Sequence, residues 1–363
     1  MRTRKAFTIA ILALLLLAPW SHSAQDPAAD FQRALQLAER GEHSLARGLL
    51  DPVVISPRIN ATFRAGAYFY RGLLHYLDGH WVSARQDYQR ALEFDPLQRH
   101  AQSALAWLYL HGLGTPRRPH EAIRLYQLAA GAGHQEAQFN LGLILLSEVD
   151  GADPVRALYW FEQAAKAGHA EARVQAGQLL ARGHSEALSA QPERARHWLE
   201  PAARDGHQAA RLQLGLLLRQ DPEQREHAEH WLLAAARDGD RHAQTHLGHL
   251  YLEQEAHDQA LTWFREAGKH GDATAQAYLG FLYQSGLGTT ADPDRAYRWY
   301  HRAALQDHAN AQFNLARLYA SGAGGLTSSR KARYWLERAA TADHPAAREA
   351  LDGQARTATA GSP

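Results

Sequence analysis

Small and large apolar residues recur along this chain at fixed helical spacings. A segment Ala-x-x-x-Leu-Gly begins at Ala137, Ala210, Ala243 and Ala275, with close variants at Ala101, Ala172 and Ala311. Successive starts lie 36, 35, 38, 33, 32 and 36 residues apart, the length of a two-helix repeat with variable loops. A second pattern follows each start: Ala, Trp three residues on, a small pair at +7 and +8, then Gly or Asp before His or Asp. It reads Ala157, Trp160, Ala164, Ala165, Gly168, His169, and again Ala195, Trp198, Ala202, Ala203, Gly206, His207. It continues at Ala228/Trp231, Ala260/Trp263, Ala296/Trp299 and Ala332/Trp335, with Leu125 in the Trp place of the first unit.

Positions +0, +3 and +7 share one helix face. The pattern therefore predicts a second helix, B, whose Trp fills the volume between repeats while small residues admit the neighbouring helix. The Gly that closes the first motif, on helix A, predicts the same close approach, at a cost of about 1 kcal/mol in helix propensity relative to Ala. Pro154, Pro192 and Pro293, each after a polar residue, mark helix starts. The Gly-His or Gly-Asp pairs mark the ends of helices B. Pro201 falls inside a predicted helix B, where it removes a backbone bond and predicts a kink or a fresh start.

These residues resemble Sel1-like repeats, seven of them over about residues 100–345. Ser285-Gly286-Leu287-Gly288-Thr289 and His111-Gly112-Leu113-Gly114-Thr115 match that family's Gly-x-Gly turn between helices, which the third, fourth and fifth units lack. Upstream, residues 62–96 resemble an ordinary tetratricopeptide repeat, with Gly66, Tyr70, Gly72, Tyr76, Gly79, Ala84, Tyr88, Ala91, Leu92 and Asp95-Pro96 near its spacing. Residues 28–55, with Gly41 at a turn, are expected to form a capping helix pair. The resemblance implies an all-α fold, a right-handed α-α superhelical solenoid of antiparallel helix pairs. The expected divisions are a signal peptide over 1–23, a helical cap and tetratricopeptide-like repeat over 24–97, seven Sel1-like repeats over 98–351 and a disordered tail over 352–363, which lacks periodicity.

Composition narrows the function. Among 363 residues there is no Cys, which removes disulfides, thiolate metal sites, cysteine nucleophiles and lipidation at an N-terminal Cys. The net charge of +1, with no Lys/Arg run after the first five residues, lacks the electrostatic footprint of a nucleic-acid binder. Arg2, Arg4 and Lys5, then an apolar stretch from Ala6 to Trp20, then Ser21 and Ser23, read as a secretory signal peptide cut after Ser23. The apolar stretch is short for a span of about 20 residues. The expected mature chain is periplasmic or secreted, without stable membrane insertion, and carries 36 basic and 38 acidic residues.

A stack of such repeats offers an extended surface rather than one deep pocket. The position before each motif Leu forms a column, Ala104, Asn140, Gln175, Gln213, His246, Tyr278, Asn314, expected on the concave side. Its neutral amides and aromatics suit a protein or peptide partner, since they hydrogen-bond a backbone without demanding charge. Asn140, Gln175, Gln213, His246, Tyr278 and Asn314 are the candidate binding residues.

His242, His246 and His249 lie at i, i+4 and i+7 of one predicted helix, where three imidazoles offer zinc a partial ligand set. No Glu of an H-E-x-x-H arrangement accompanies them. The Gly-Leu-Gly triplets follow helices rather than strands, so they are turns and not phosphate loops. No Gly-x-Ser-x-Gly elbow is present. The 22 His make the chain more cationic as pH falls through the imidazole range, although the sequence alone locates no switch. The resulting expectation is a non-catalytic scaffold with no cofactor, the alternative being a hydrolase or metal-dependent enzyme on a repeat scaffold. The family resemblance implies roles in bacterial envelope assembly, exopolysaccharide export, signalling or host interaction.

Overall fold

The computed structural model describes residues 26–147, 152–184, 188–323 and 327–360, with side chains described as far as residue 353. The expected signal peptide over 1–23 lies outside these residues. The chain forms two compact units that divide between Ile144 and Leu145. The first holds α1 (Pro27–Glu39), α2 (His43–Ile55), α3 (Ala61–Leu77), α4 (Trp81–Phe94), α5 (Arg99–His111), α6 (Pro119–Gly131) and most of α7 (Gln135–Leu146).

The second unit holds α8 (Pro154–Lys166), α9 (Ala170–Arg182), α10 (Pro192–Arg204), α11 (Gln208–Leu218), α12 (Arg225–Arg237) and α13 (Arg241–Glu253). It continues with α14 (His257–Lys269), α15 (Ala273–Ser285), α16 (Pro293–Ala304), α17 (Ala309–Ser321), α18 (Ser329–Thr341) and α19 (Pro345–Ala360). Within each unit the helices pack on their chain neighbours as hairpins, α1 to α6 in the first and α8 to α19 in the second, and the A helices α9, α11, α13, α15 and α17 also touch one another in that order. The architecture is the all-α, tetratricopeptide-like hairpin class that the repeats imply.

Within a hairpin, the bare backbone of helix A lies against a large side chain of helix B. Gly177 faces Leu199, Gly215 faces Leu232, Gly248 faces Phe264 and Gly280 faces Tyr300, while Gly72 faces Tyr88 in the first unit. A Cβ placed on Gly280 would sit 2.5 Å from the Tyr300 ring, so only Gly admits the helices this closely. The ring is 1% exposed, and its hydroxyl donates to Gln284 Oε1 at 3.0 Å.

The buried large residue of helix B is thus the one at +4, not the Trp at +3. Tyr126, Phe161, Leu199, Leu232, Phe264 and Tyr300 occupy +4 and are almost fully buried. Trp160, Trp198, Trp231, Trp263 and Trp299 are only half-buried, and Trp335 alone among the six is buried. The tryptophans do reach the preceding repeat, as expected, along the seam between B helices. Trp198 Nε1 donates to Glu162 Oε1 at 3.1 Å, and the Trp335 ring meets His301 edge-on with centroids 5.9 Å apart. An indole N–H gains from a partner, and for Trp198 the edge of the stripe supplies one.

Helix junctions do two jobs in two residues. Gly168, Gly206, Gly239 and Gly271 adopt positive φ after helix B; the following His169, Asp240 and Asp272 cap the next helix A, whereas the His207 side chain makes no cap bond. His134, His169, His308 and His344 accept, through Nδ1, the backbone N–H three residues on, at 3.1–3.3 Å. Asp240 and Asp272 do the same with a carboxylate oxygen. The Gly-His pairs therefore end one helix and start the next.

A recurring Ala-Gln inside helix A closes the same junction. Gln138, Gln244, Gln276 and Gln312 are buried, and each donates from Nε2 to a carbonyl eight residues back, at the end of the preceding helix B, at 3.0–3.1 Å. Helix C-termini leave such carbonyls without intrahelical partners.

In the Gly-Leu-Gly turns the second Gly rests on the preceding repeat. A Cβ on Gly288 would stand 2.6 Å from the His257 carbonyl, and one on Gly114 would stand 2.6 Å from the Trp81 backbone. Helix α10 runs unbroken through Pro201, so no second helix begins there. At the far end α19 continues to Ala360, so residues 352–360 are helical where a disordered tail was expected. An Ala-rich stretch propagates a helix that is already nucleated more readily than it starts one.

Gly280→Ala is expected to lower unfolding stability by about 1–3 kcal/mol through overpacking. Gly66→Ala, in α3 with nothing within 4 Å of the added carbon, is expected to be neutral or stabilising by up to about 1 kcal/mol. Urea denaturation followed by circular dichroism compares the two; equal effects would contradict the close-approach account.

Candidate partner-binding face

Each A helix of the second unit spends one face on its own hairpin and one polar position on the junction. The residue before the motif Leu is used by neither. Gln175 on α9, Gln213 on α11, His246 on α13, Tyr278 on α15 and Asn314 on α17 are all half-buried, and the contacts between successive A helices place them side by side. In the first unit the same position is the half-buried Asn140 on α7 and the buried Ala104 on α5. The amides of Asn140, Gln175, Gln213 and Asn314 make no hydrogen bond among the described residues, in contrast to the junction glutamines.

The aromatic members are held by their neighbours. Tyr278 stacks on Phe264 with centroids 5.0 Å apart and meets His249 edge-on at 4.2 Å. Burial, and after it the Arg219 guanidinium, push the His249 imidazole down to about 4 and lower that of His246. Both are neutral near pH 7. His242 is largely exposed, with Nδ1 3.8 Å from an Asp272 carboxylate oxygen. His242, His246 and His249 are not brought together as a ligand set, and no cluster of three or more metal-ligating side chains occurs among the described residues. The i, i+4, i+7 spacing aligned the three along the helix, but aromatic packing turns His249 to Phe264 and Tyr278, while His242 faces Asp272.

Two open clefts lie along this face. One, of about 340 Å³, is bordered by Arg182, Gln213, Leu216, Arg219, Gln220 and His246. The other, of about 240 Å³, is bordered by Tyr278, Phe281, His308, Phe313, Asn314 and His344. Arg182, Arg219, Phe281 and Phe313 did not stand out in the sequence because they fall outside the single column that was read; their signal is helical, since Gln175 and Arg182, Tyr278 and Phe281 are seven and three residues apart on one face.

Comparison with known proteins agrees with this geometry. The family model described as Sel1 repeat matches eight segments, residues 65–94, 99–134, 135–169, 170–207, 209–240, 241–272, 273–308 and 309–344. The count is eight rather than the expected seven, because the segment read as an ordinary tetratricopeptide repeat belongs to the same series; its Gly72 and Tyr88 make the same hairpin contact as Gly280 and Tyr300. The chain is similar to the c5321 protective antigen of uropathogenic Escherichia coli, described as displaying an SLR fold, with 25% identity over 87% of this chain and 69% of that one, at a TM-score of 0.73. It is also similar to a Sel1 repeat protein from Oxalobacter formigenes, with 26% identity over 95% of this chain and 99% of that one, at a TM-score of 0.66. No curated protein matches the chain.

The capping imidazoles predict an acid-sensitive stability. Burial lowers the proton affinity of His308 and His344 and takes that of His134 down to about 3, and each must stay neutral at Nδ1 to accept its backbone N–H. The unfolded chain binds the proton first, so stability falls as pH drops below about 6.5. His308→Asp, which copies the cap at Asp272, is expected to shrink the loss of Tm between about pH 7.5 and about pH 5; an unchanged loss in thermal melts would contradict the capping role.

Proposed function

Since the chain belongs to the Sel1 repeat family, we propose that it is a non-catalytic scaffold that binds protein or peptide partners along the face of its A helices, the concave side of the expected solenoid. Sel1 repeats generally mediate protein–protein interaction. One observation carries the placement: the half-buried amides of Gln175, Gln213 and Asn314 make no hydrogen bond among the described residues, whereas the buried junction glutamines Gln138, Gln244, Gln276 and Gln312 each donate from Nε2 to a helix-end carbonyl. A polar group that is partly desolvated and unpaired gains free energy when a ligand supplies its hydrogen bonds. Stacking such positions on adjacent helices multiplies the effect along an extended ligand.

The working compartment in this proposal is the bacterial periplasm or the extracellular space. Its support is the pattern of Arg2, Arg4 and Lys5, the apolar stretch from Ala6 to Trp20 and the small residues Ser21 and Ser23. No helix among the described residues is long and apolar enough to cross a membrane.

Affinity capture from envelope extracts tests the placement. A variant carrying Gln175→Ala, Gln213→Ala and Asn314→Ala is expected to keep its melting temperature, since none of the three amides bonds within the described fold, and to lose the partners retained by the unaltered chain. Equal recovery by both would remove this face from the function.

A further inference from the structure

The face described above is not uniform along the second unit. No carboxylate borders either cleft, yet their chemistry differs. The cleft over α9, α11 and α13 presents two guanidinium groups. Arg219 is paired with Glu253, which fixes its position and offsets its charge. Arg182, exposed at the end of α9, has no ion-pair partner among the described residues. The amides of Gln213 and Gln220 and the neutral imidazole of His246 complete the border.

The cleft over α15, α17 and the start of α19 carries no formal charge near neutral pH. Tyr278, Phe281 and Phe313 border it; Phe281 is 43% exposed, and Phe313 stacks on His344 with centroids 4.4 Å apart. His308 and His344 are held neutral by burial, so the aromatic surface is flanked by uncharged groups. Asn310 and Asn314 supply amides beside it, and neither makes a side-chain hydrogen bond among the described residues.

We propose that this groove takes an extended peptide segment with two anchors: a carboxylate at the α9–α13 end, read by Arg182 with Arg219, and an apolar side chain at the α15–α19 end, received by Phe281 and Phe313. The proposal rests on the functional reading above and adds the chemical class of the partner. Helix axes packed about 8–10 Å apart put the two clefts, three A helices apart along the stack, about 25 Å from each other. An extended chain covers that distance in seven or eight residues, and its backbone passes the unpaired amides and His246 on the way. A guanidinium reads a carboxylate with directional, charge-assisted bonds, while an aromatic surface left partly exposed gains from covering. The fixed order of a cationic and an apolar end gives the groove a direction, so it distinguishes a segment from its reverse. Two cations, one already offset, are too few to hold a nucleic-acid backbone.

The test is fluorescence anisotropy with the whole chain and labelled peptides in a serine, threonine and glycine background. One pair of peptides carries a glutamate and a phenylalanine seven or eight residues apart, in both orders. Companion peptides replace the glutamate by glutamine or the phenylalanine by serine. One order is expected to bind, and glutamine in place of glutamate is expected to weaken it about tenfold. Arg182→Gln should produce a similar loss for the acidic peptide and none for its glutamine version; Phe281→Ser should do the same for the phenylalanine. Both residues are exposed, so circular dichroism should show an unchanged fold.

Equal affinity for the acidic and amide peptides would overturn the proposal, as would an Arg182→Gln chain that loses every peptide alike. Displacement of the acidic peptide by inorganic phosphate with no dependence on the phenylalanine would also overturn it, by marking an isolated anion subsite. If no peptide binds while Gln175, Gln213 and Asn314 still govern capture of partners, the two-anchor reading falls and the face reading stands. If capture is also indifferent to those three residues, both fall.

Discussion

The close approach of a side-chain-free backbone to one large residue is the constraint on which the rest of this structure depends. Where Gly280 meets Tyr300, or Gly248 meets Phe264, the two helices of a hairpin come near enough that Ala243, Ala260, Ala275 and Ala296 are fully buried. The large residue can be Leu, Phe or Tyr, because the gap it fills is bounded by small side chains on both sides. Burying such a residue is worth about 1.5–3 kcal/mol, more than the helix propensity given up at the Gly. The balance is struck again in each of five hairpins where Gly meets a large B-helix residue, in both units of the chain.

Stacking hairpins then raises a polar problem at every junction, and the fold answers it locally. A positive-φ Gly, or Asp in the case of Asp307 and Asp343, stops helix B, a His or Asp caps the next helix A at most junctions, and at four of them a glutamine side chain reaches back to a carbonyl the first helix cannot satisfy. The solution uses the second motif position and the residue before the helix. At the position ahead of the motif Leu, Tyr278 packs on Phe264, while the amides of Gln175, Gln213 and Asn314 make no hydrogen bond within the described fold.

Much of this was legible in the sequence because a repeat states its rules many times over. The spacing of the Ala-x-x-x-Leu-Gly segments fixed the helix pairs, and the Gly of helix A announced the close contact. The partner of that Gly was not identified. Trp, the most conspicuous member of helix B, was expected in the volume between repeats, where Trp198 and Trp335 do lie, and the less conspicuous neighbour at +4 is the one enclosed within the hairpin. The histidines were counted as possible ligands and as a diffuse source of charge, whereas His134, His169, His308 and His344 turned out to be caps. Only the backbone direction at each junction reveals that. The two ends of the groove were hidden for a similar reason: Arg182 and Phe281 lie on different repeats and occupy different positions within them, so no periodic pattern connects the two.

The second glycine of each Gly-Leu-Gly turn has a bearing on how such a chain can lengthen. Gly288 settles on the first residue of α14, and Gly114 on the first residue of α4, so the hairpin that contains the turn is fitted to the one before it as well as to itself. A gene segment duplicated from one Gly-His junction to the next would carry its own internal contact and its own cap into the new place. It would still need a predecessor whose helix B opens where that glycine can rest. Tandem growth of this array is therefore ordered rather than free: hairpins with the turn can be inherited only behind suitable neighbours, while those without it can be shuffled more widely.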